Sequence, residues 1–204
     1  MIRKFSALAV ASALALSIPG SSNAGVDTKP TKEVKDNIWL YDSSKNDEQV
    51  WKCIGCNTAE DFTLSYLQDN TSIKDKIALA TIMGNIKQES MFNANICEGG
   101  ARVPYHKCYS GGYGLIQWTT TARYNGLGSF CNKYGCDPSS LEGQVRYMIN
   151  ENGFQKNLSI FEAPGRTINY YMNAAYSWLG WGIHGHRTHY THQYVSKLVL
   201  KWSD

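Results

Sequence analysis

The chain has 204 residues, with 20 Lys or Arg against 17 Asp or Glu and a formal net charge of +3. Residues 1–24 carry two of the positive charges and no acidic residue, which leaves the remainder at +1. That balance excludes the strongly basic surface typical of nucleic-acid-binding domains, so we expect no nucleic acid among the partners. About 180 residues beyond position 24 suit a single domain with one core.

The N-terminus has the pattern of a cleavable secretory signal. Arg3 and Lys4 precede an apolar run over residues 7–18, and small residues ending at Ala24 follow it. The apolar run is shorter than the roughly twenty residues that span a bilayer. We therefore predict a signal peptide over residues 1–24, export to the periplasm or the medium, and no membrane span after its removal. An uncleaved membrane anchor is the alternative.

Six cysteines follow the predicted signal peptide. An even number of cysteines in an exported chain indicates disulfides, although six thiols allow fifteen pairings. We predict the local pairing, in which each bond closes a short loop: Cys53–Cys56, Cys97–Cys108 and Cys131–Cys136. A zinc site at Cys53 and Cys56 is the alternative, but it needs two further ligands, and no second pair of this spacing exists.

The first elements follow from local patterns. Residues 25–57 are polar and irregular, which predicts an extended N-terminal arm. Capping-box spacings that begin at Thr58 and at Ser72 predict the starts of a first helix and of a second helix over residues 73–89. Residues 93–118 lack a helical period and hold five glycines, which predicts a loop with a small hairpin or sheet.

Helical patterns return after the glycine-rich segment. One helix is predicted from Thr120 or Thr121 to Gly135, and another from Ser139 to Gly153. Two further helices are predicted over residues 164–179 and 190–202. These elements together predict the α+β class, as a mostly helical domain with a small glycine-rich β-hairpin or sheet.

The carboxyl group best suited to catalysis is that of Glu89. Ile82, Ile86 and Glu89 share the apolar face of the predicted second helix. Burial disfavours the charged carboxylate, which raises its pKa and keeps the group protonated near neutral pH. Cleavage of a glycosidic bond requires such a proton donor for the leaving oxygen. The alternative is a structural carboxylate that caps a loop or pairs with Arg102 or Arg123.

The glycine-rich segment over residues 111–119 adds features suited to sugar binding. Its glycines let the backbone approach a sugar ring closely. Tyr113 and Trp118 offer flat faces to sugar C–H groups, and Gln117 offers both a donor and an acceptor. Together with Glu89, this segment predicts a cleft that binds a glycan.

The two motifs resemble those of a known family. Residues 84–93 (GNIKQESMFN) resemble the helix end of phage tail lysozymes, and residues 112–119 (GYGLIQWT) resemble their β region. A looser likeness reaches goose-type lysozymes and soluble lytic transglycosylases. The resemblance covers about residues 60–153, in which Gln144 and Glu151 fall where this family often has a Gln and a Glu.

The resemblance implies a lysozyme-like catalytic domain over residues 58–204, with Glu89 as the catalytic acid. The implied substrate is bacterial peptidoglycan, cut at the β-1,4 bond between N-acetylmuramic acid and N-acetylglucosamine. The implied substrate-binding residues are Ser90, Tyr113, Gly114, Leu115, Gln117 and Trp118. The chain departs from the family in a longer loop over residues 97–108, and residues 160–204 form a helical extension with no clear likeness.

Hydrolysis of a glycoside also requires a second carboxylate. The candidates are Glu98, Asp137, Glu142 and Glu151. We expect Glu98, on the inserted loop, to be the one that can reach the cleft, and Glu151 to be structural. Lytic transglycosylases need one acid, because the sugar's own 6-hydroxyl attacks the anomeric carbon. We favour the hydrolase and keep the lytic transglycosylase as the alternative.

A histidine-rich segment near the C-terminus suggests a different chemistry. His186, His189 and His192 recur at steps of three, which makes a zinc amidase or endopeptidase a further alternative. Surrounding glycines and the lack of an acidic partner favour histidines that only form hydrogen bonds. Trp178 and Trp181 either cover the core or extend the groove. We predict a monomer without metal or cofactor, and a non-catalytic peptidoglycan-binding protein is the last alternative.

Overall fold

The computed structural model describes residues 34–35, 38–39, 49–109 and 111–202. The predicted signal peptide lies outside these residues, as does most of the predicted arm. The described part of the chain forms seven α-helices: α1 Thr58–Asn70, α2 Lys76–Ser90, α3 Thr121–Tyr134, α4 Leu141–Asn150, α5 Asn152–Glu162, α6 Ile168–Leu179 and α7 Arg187–Lys197. It also has four short strands: β1 Val34–Lys35, β2 Ile38–Trp39, β3 Gln49–Cys53 and β4 Leu198–Trp202. The mostly helical α+β fold is confirmed. Not one of the helices in this part is long and apolar enough to cross a membrane.

The first two helices begin at caps other than those predicted. Asn57, not Thr58, caps α1, and the carboxylate of Glu60 accepts a hydrogen bond from the Asn57 amide to complete the capping box. Asp75, not Ser72, caps α2 by accepting two backbone amides of the first turn at 2.7 and 3.0 Å. Both observed caps are Asn or Asp, which are among the strongest N-cap residues.

The later helix boundaries are partly as predicted. Gly135 ends α3 in the left-handed conformation, with φ of 67°. Ser140 rather than Ser139 caps α4, and α6 begins after its cap Thr167 rather than at residue 164. The Ser140 hydroxyl accepts the Gly143 amide at 3.0 Å, and the Thr167 hydroxyl accepts the Tyr170 amide at 3.3 Å.

The predicted end of α4 at Gly153 is wrong. The helix ends at Asn150, and Gly153 lies inside α5, which the sequence pattern does not predict. A Cβ at Gly153 would lie 3.3 Å from Cδ1 of Trp178, so a small residue suits the close contact between α5 and α6. The glycine here serves packing and does not end a helix.

The described residues form two two-stranded sheets, β1 with β2 and β3 with β4, and the second of these joins the segment before α1 to the end of α7. β3 pairs with β4 in antiparallel register, with Cys53 opposite Leu198 and Gln49 opposite Trp202. Residues 49–53 are therefore a strand and not an irregular arm, and residues 198–202 are a strand and not a helix. The glycine-rich segment, in contrast, contains isolated β-bridges: Ile96–Arg102, Cys97–Tyr113 and Tyr113–Trp118.

The predicted disulfides are confirmed. The bonds join Cys53 to Cys56, Cys97 to Cys108, and Cys131 to Cys136. The first of these uses both thiols of the alternative zinc site, so that alternative is wrong. The second fastens both ends of the inserted loop, which matters for the surface beside the candidate site.

The packing of α7 on α2 brings the C-terminal segment to the end of α2. Leu79, Ile82 and Ile86 of α2 are fully buried. A Cβ at Gly84 would lie 2.6 Å from the backbone nitrogen of Thr191 on α7, so the two helices touch backbone to backbone. This close approach places the start of α7 beside the residues that end α2.

Candidate active site

Glu89 lies in the last turn of α2, immediately before a sharp change of chain direction. Met91 and Phe92 both adopt left-handed backbone conformations, with φ of 51° and 63°. Two successive non-glycine residues of this kind are costly, on the order of 1–3 kcal/mol each, and occur where surrounding packing enforces them. Phe92 supplies such packing, because its buried ring contacts the Tyr194 ring edge-on.

A network of hydrogen bonds fixes the glycine-rich segment against the end of α2. The Ser90 hydroxyl donates to the carbonyl of Leu115 at 2.7 Å, and the Leu115 amide donates to Oε1 of Gln144 at 2.7 Å. Gly114 has φ of 73°, and a Cβ there would lie 2.3 Å from the same Gln144 oxygen. The position therefore needs glycine on two grounds. Ser90 and Leu115, both predicted to bind substrate, are buried in this network.

The end of α2 and this loop border a cleft of about 770 Å³. The start of α3 and the connection between α6 and α7 form the remaining walls. The lining residues are Gln88, Glu89, Glu98, Gly112, Ile116, Gln117, Thr119, Thr120, Arg123, Leu179, Gly180, Trp181, Gly182, Ile183, Gly185 and Arg187. Among the sequence-predicted site residues, the cleft brings together Glu89, Glu98 and Gln117.

The rings of Tyr113 and Trp118 do not face this cleft. Both are fully buried, as is Leu115, and Gly114 is buried between them. The Trp118 indole N–H donates to Glu151 at 3.1 Å, and the Tyr113 hydroxyl donates to a backbone carbonyl at 3.1 Å. The prediction that these rings offer flat faces to a sugar is wrong, because both rings are used as core. Gln117, by contrast, is half-buried and lines the cleft.

Glu89 forms an ion pair that the sequence did not predict. Nη2 of Arg187, at the start of α7, donates to Oε1 of Glu89. The side chains of Glu89 and Arg187 are 15% and 5% exposed, so both charges are largely removed from water. The guanidinium also donates to the carbonyls of Ile183 and His184 at 3.0 and 2.9 Å, and it lies 4.5 Å from the Trp181 ring centroid.

The two arginines named as alternative partners of Glu89 bind elsewhere. Arg102 donates to the side-chain oxygens of Asn95 and Asn93 at 2.7 and 2.6 Å. Arg123 binds the carboxylate of Glu151 at 2.6 and 3.0 Å. The alternative is therefore wrong about Arg102 and Arg123 as partners, although Glu89 does pair with an arginine, Arg187.

The balance of interactions raises the pKa of Glu89 above the usual carboxyl value. Burial is the largest influence and raises the pKa, whereas the charge and hydrogen bond of Arg187, and the charge of Arg123, lower it. The net direction is upward, so burial outweighs the ion pair. The position at the C-terminal end of a helix acts in the same sense, since the helix dipole there disfavours a negative charge. Glu89 can therefore keep its proton to a higher pH than an ordinary glutamate.

Of the candidate second carboxylates, Glu98 shares the cleft with Glu89. Its side chain is exposed, and Oε2 accepts the Gly112 amide at 3.1 Å. Asp137 accepts a turn amide at 2.8 Å, and Glu142 is exposed beside an arginine on α4. Glu151 is buried, and its two oxygens accept four hydrogen bonds. It therefore has a structural environment.

The C-terminal histidines do not form a ligand cluster. Among the residues that the structure describes, the group of three or more potential ligands within reach of one ion is Cys53, Cys56 and Asp61, whose cysteines form a disulfide. His189 instead contacts Gln193 at 3.0 Å, and His184 contacts a threonine hydroxyl at 3.2 Å. The zinc amidase alternative therefore lacks a site in this part of the chain.

The two tryptophans beside the histidines have different roles. Trp178 is buried, and its indole N–H donates to Glu151 at 2.7 Å. Trp181 is half-buried, lines the cleft, and packs beside the guanidinium of Arg187. One ring thus belongs to the core and the other to the wall of the candidate site.

Comparison with known proteins identifies the family. The family model described as phage tail lysozyme matches residues 67–179, more than half of the chain. The match includes Glu89, Gln117 and Glu151, and it ends before Arg187. Neither the curated proteins nor the solved structures yield a match. The chain therefore belongs to the phage tail lysozyme family.

Proposed function

We propose that the protein cleaves the glycan strands of bacterial peptidoglycan, with Glu89 as the general acid. Membership of the phage tail lysozyme family supports a lysozyme-like action on peptidoglycan. The assignment of Glu89 as the general acid rests on one observation. Its carboxyl group lines a cleft large enough for a ligand, and burial raises the pKa of that group. The bond cut is the β-1,4 bond between N-acetylmuramic acid and N-acetylglucosamine.

In the proposed reaction, Glu89 gives its proton to the glycosidic oxygen as the bond from that oxygen to the anomeric carbon breaks. The bonding electrons pass to the departing N-acetylglucosamine oxygen, and positive charge develops at the anomeric carbon of the muramic acid residue. Arg187 binds Oε1 of Glu89, which leaves Oε2 to carry the proton. In a hydrolase, a water oxygen then adds to the anomeric carbon and its proton passes to a carboxylate.

Glu98 supports the hydrolase. It is an exposed carboxylate in the same cleft, held by the Gly112 amide, and it is suited to accept the proton of water or to stabilise the positive charge. The lytic transglycosylase remains the second candidate, because Glu89 is a buried acid of the kind that such enzymes use alone. There the muramic acid 6-hydroxyl attacks the anomeric carbon, and the Glu89 carboxylate left by the first proton transfer accepts the proton of that hydroxyl.

The cellular setting is part of the same proposal. We infer that residues 1–24 direct export and that the mature chain works as a monomer in the periplasm or the medium. Three disulfides agree with an oxidising compartment.

Mass analysis of the products tests the proposal. Purified peptidoglycan incubated with the protein is expected to release soluble muropeptides that end in reducing N-acetylmuramic acid. Products lighter by one water would assign the lytic transglycosylase instead. New free amino groups without new reducing ends would indicate an amidase. Protein that sediments with the wall but releases no fragments would leave a binding protein and contradict the proposed activity.

The ion pair gives a pH-dependent test. Replacing Arg187 by Met is expected to move the alkaline limb of the pH–activity profile to higher pH. Arg187 lowers the pKa of Glu89, so its removal lets burial raise that pKa further. A general acid acts only while protonated, and activity therefore persists to higher pH. The measurement is the rate of peptidoglycan clearing against pH.

Arg187→Lys is the matched control for this test. Lysine keeps a positive charge but loses the planar fork of donors, so the alkaline limb should shift less than in Arg187→Met. An alkaline limb that stays at the wild-type pH in Arg187→Met, with clearing still measurable, would show that Glu89 does not set it.

A further inference from the structure

A second cleft lies beside the candidate active site. It has a volume of about 570 Å³ and is lined by Tyr105, His106, Cys108, Tyr109, Gly111, Thr119, Thr121, Tyr124 and Asn125. Thr119 lines both clefts, and the adjacent glycines Gly111 and Gly112 line one each. A chain-like ligand that leaves the cleft of Glu89 past Thr119 therefore enters the second cleft directly.

The wall of this second cleft is held in place before any ligand binds. The rings of Tyr105 and Tyr124 stack with centroids 4.3 Å apart. The Tyr105 hydroxyl donates to the Tyr124 carbonyl at 2.9 Å, and the Tyr124 hydroxyl donates to the Tyr105 carbonyl. The Cys97–Cys108 disulfide fastens the inserted loop directly before Tyr109. A preformed wall lowers the entropy cost of binding.

The chemistry of the lining suits a neutral, hydroxyl-rich ligand. In the described part of this wall there is no Asp, Glu, Lys or Arg, whereas the cleft of Glu89 has two carboxylates and two arginines. Burial raises the pKa of Tyr105 and of Tyr124, so both phenols stay uncharged. Thr119, Thr121 and Asn125 offer hydroxyl and amide groups to a ligand.

Tyr109 is an exposed aromatic residue of this cleft. The residue is 84% exposed, although an aromatic ring gains by covering its apolar faces. Exposed single aromatic residues are common, but this one stands at the rim of a preformed cleft that continues the candidate active site. A sugar ring, with an apolar C–H face and a polar edge, matches such a rim.

We propose that the second cleft binds further sugar residues of the same glycan strand, on the far side of Thr119 from Glu89. The inference rests on the proposed function for the polymer, but it concerns Tyr109, directly after the inserted loop, which does not line the cleft of Glu89 and takes no part in bond cleavage. Its consequence is a preference for long strands, because a short oligosaccharide in the cleft of Glu89 does not reach Tyr109.

The test measures binding separately from cleavage. Peptidoglycan-derived tetrasaccharide and octasaccharide are titrated into the Glu89→Gln variant, with and without Tyr109→Ala. With Tyr109 present, we expect the octasaccharide to bind more tightly than the tetrasaccharide. Tyr109→Ala should weaken octasaccharide binding by about three- to tenfold, the order of one aromatic contact, and so bring the two affinities close to each other. Tyr170→Ala, at an exposed tyrosine on α6 that lines neither cleft, is the matched control and should keep the ratio.

Each outcome decides one of the two proposals. An unchanged octasaccharide affinity in Tyr109→Ala, an equal loss for both ligands, or no octasaccharide binding at all would overturn the second cleft as a glycan site. If Tyr109→Ala instead weakens the binding of isolated stem peptide, the second cleft is a peptide site. If the wild-type protein cleaves nothing while Tyr109→Ala still weakens octasaccharide binding selectively, the proposed activity fails and the glycan site stands.

Discussion

Replacing Glu89 by Gln is expected to lower the rate of peptidoglycan cleavage by about 10²- to 10⁴-fold while the fold stays intact. The amide has the size of the carboxyl group, and its oxygen can still accept the hydrogen bond from Arg187. It cannot release a proton to the glycosidic oxygen, so the loss should fall on the chemical step. The measurement is the initial rate of clearing of a cell-wall suspension, with thermal unfolding to check the fold.

Two further glutamates serve as comparisons for Glu89→Gln. Glu142→Gln changes an exposed carboxylate on α4, paired with Arg146 at 3.6 Å, and should keep the wild-type rate. Glu98→Gln separates the two candidate reactions, because a hydrolase should lose rate and a lytic transglycosylase should lose little. Full activity in Glu89→Gln would remove Glu89 from its proposed role.

The sequence predicted Glu89 because the relevant signal is local. Ile82, Ile86 and Glu89 share one helical face. In the structure the two isoleucines are fully buried, and the Glu89 side chain at the end of this face is 15% exposed. Arg187 lies 98 residues from Glu89, in the C-terminal segment that the sequence analysis singled out for its histidines. No spacing rule links two residues across that distance. The contact exists because α7 packs against α2, which is a property of the assembled fold.

The opposite error concerns Tyr113 and Trp118. A glycine-rich segment with aromatic residues is compatible with a sugar-binding surface or with a loop that anchors its rings in the core. The choice depends on where Glu151 and the helices around it lie, because the Trp118 N–H needs a buried acceptor. The cleft-facing positions of the segment instead include Gly112, Ile116 and Gln117.

Strand pairing was the other feature out of reach of local reasoning. β3 precedes the first helix and β4 follows the last one, and each has only five residues. Such a short segment satisfies a helical or a strand pattern equally well, so the partner decides the structure. The disulfides, in contrast, could be predicted because each closes a short loop.

Replacing Glu151 by Ala is expected to lower the free energy of unfolding by about 3–5 kcal/mol. The Glu151 carboxylate is buried and accepts from Trp118 at 3.1 Å, from Trp178 at 2.7 Å, and twice from Arg123. Alanine would leave two buried indole N–H groups without an acceptor, and unpaired buried donors are costly. It would also remove the ionic partner of Arg123, whose side chain is 25% exposed. Urea unfolding measures the change.

Glu142→Ala is the control for this change, because its exposed ion pair should contribute no more than about 1 kcal/mol. Equal losses in the two variants would mean that burial of the Glu151 network does not matter.

The loss of the Glu151 carboxylate should also change the cleft. Arg123 lines it and Trp118 adjoins Gln117 in the chain, so Glu151→Ala should lower activity even at temperatures where the variant is folded. Normal activity of the folded variant would show that the cleft holds its shape without this buried carboxylate.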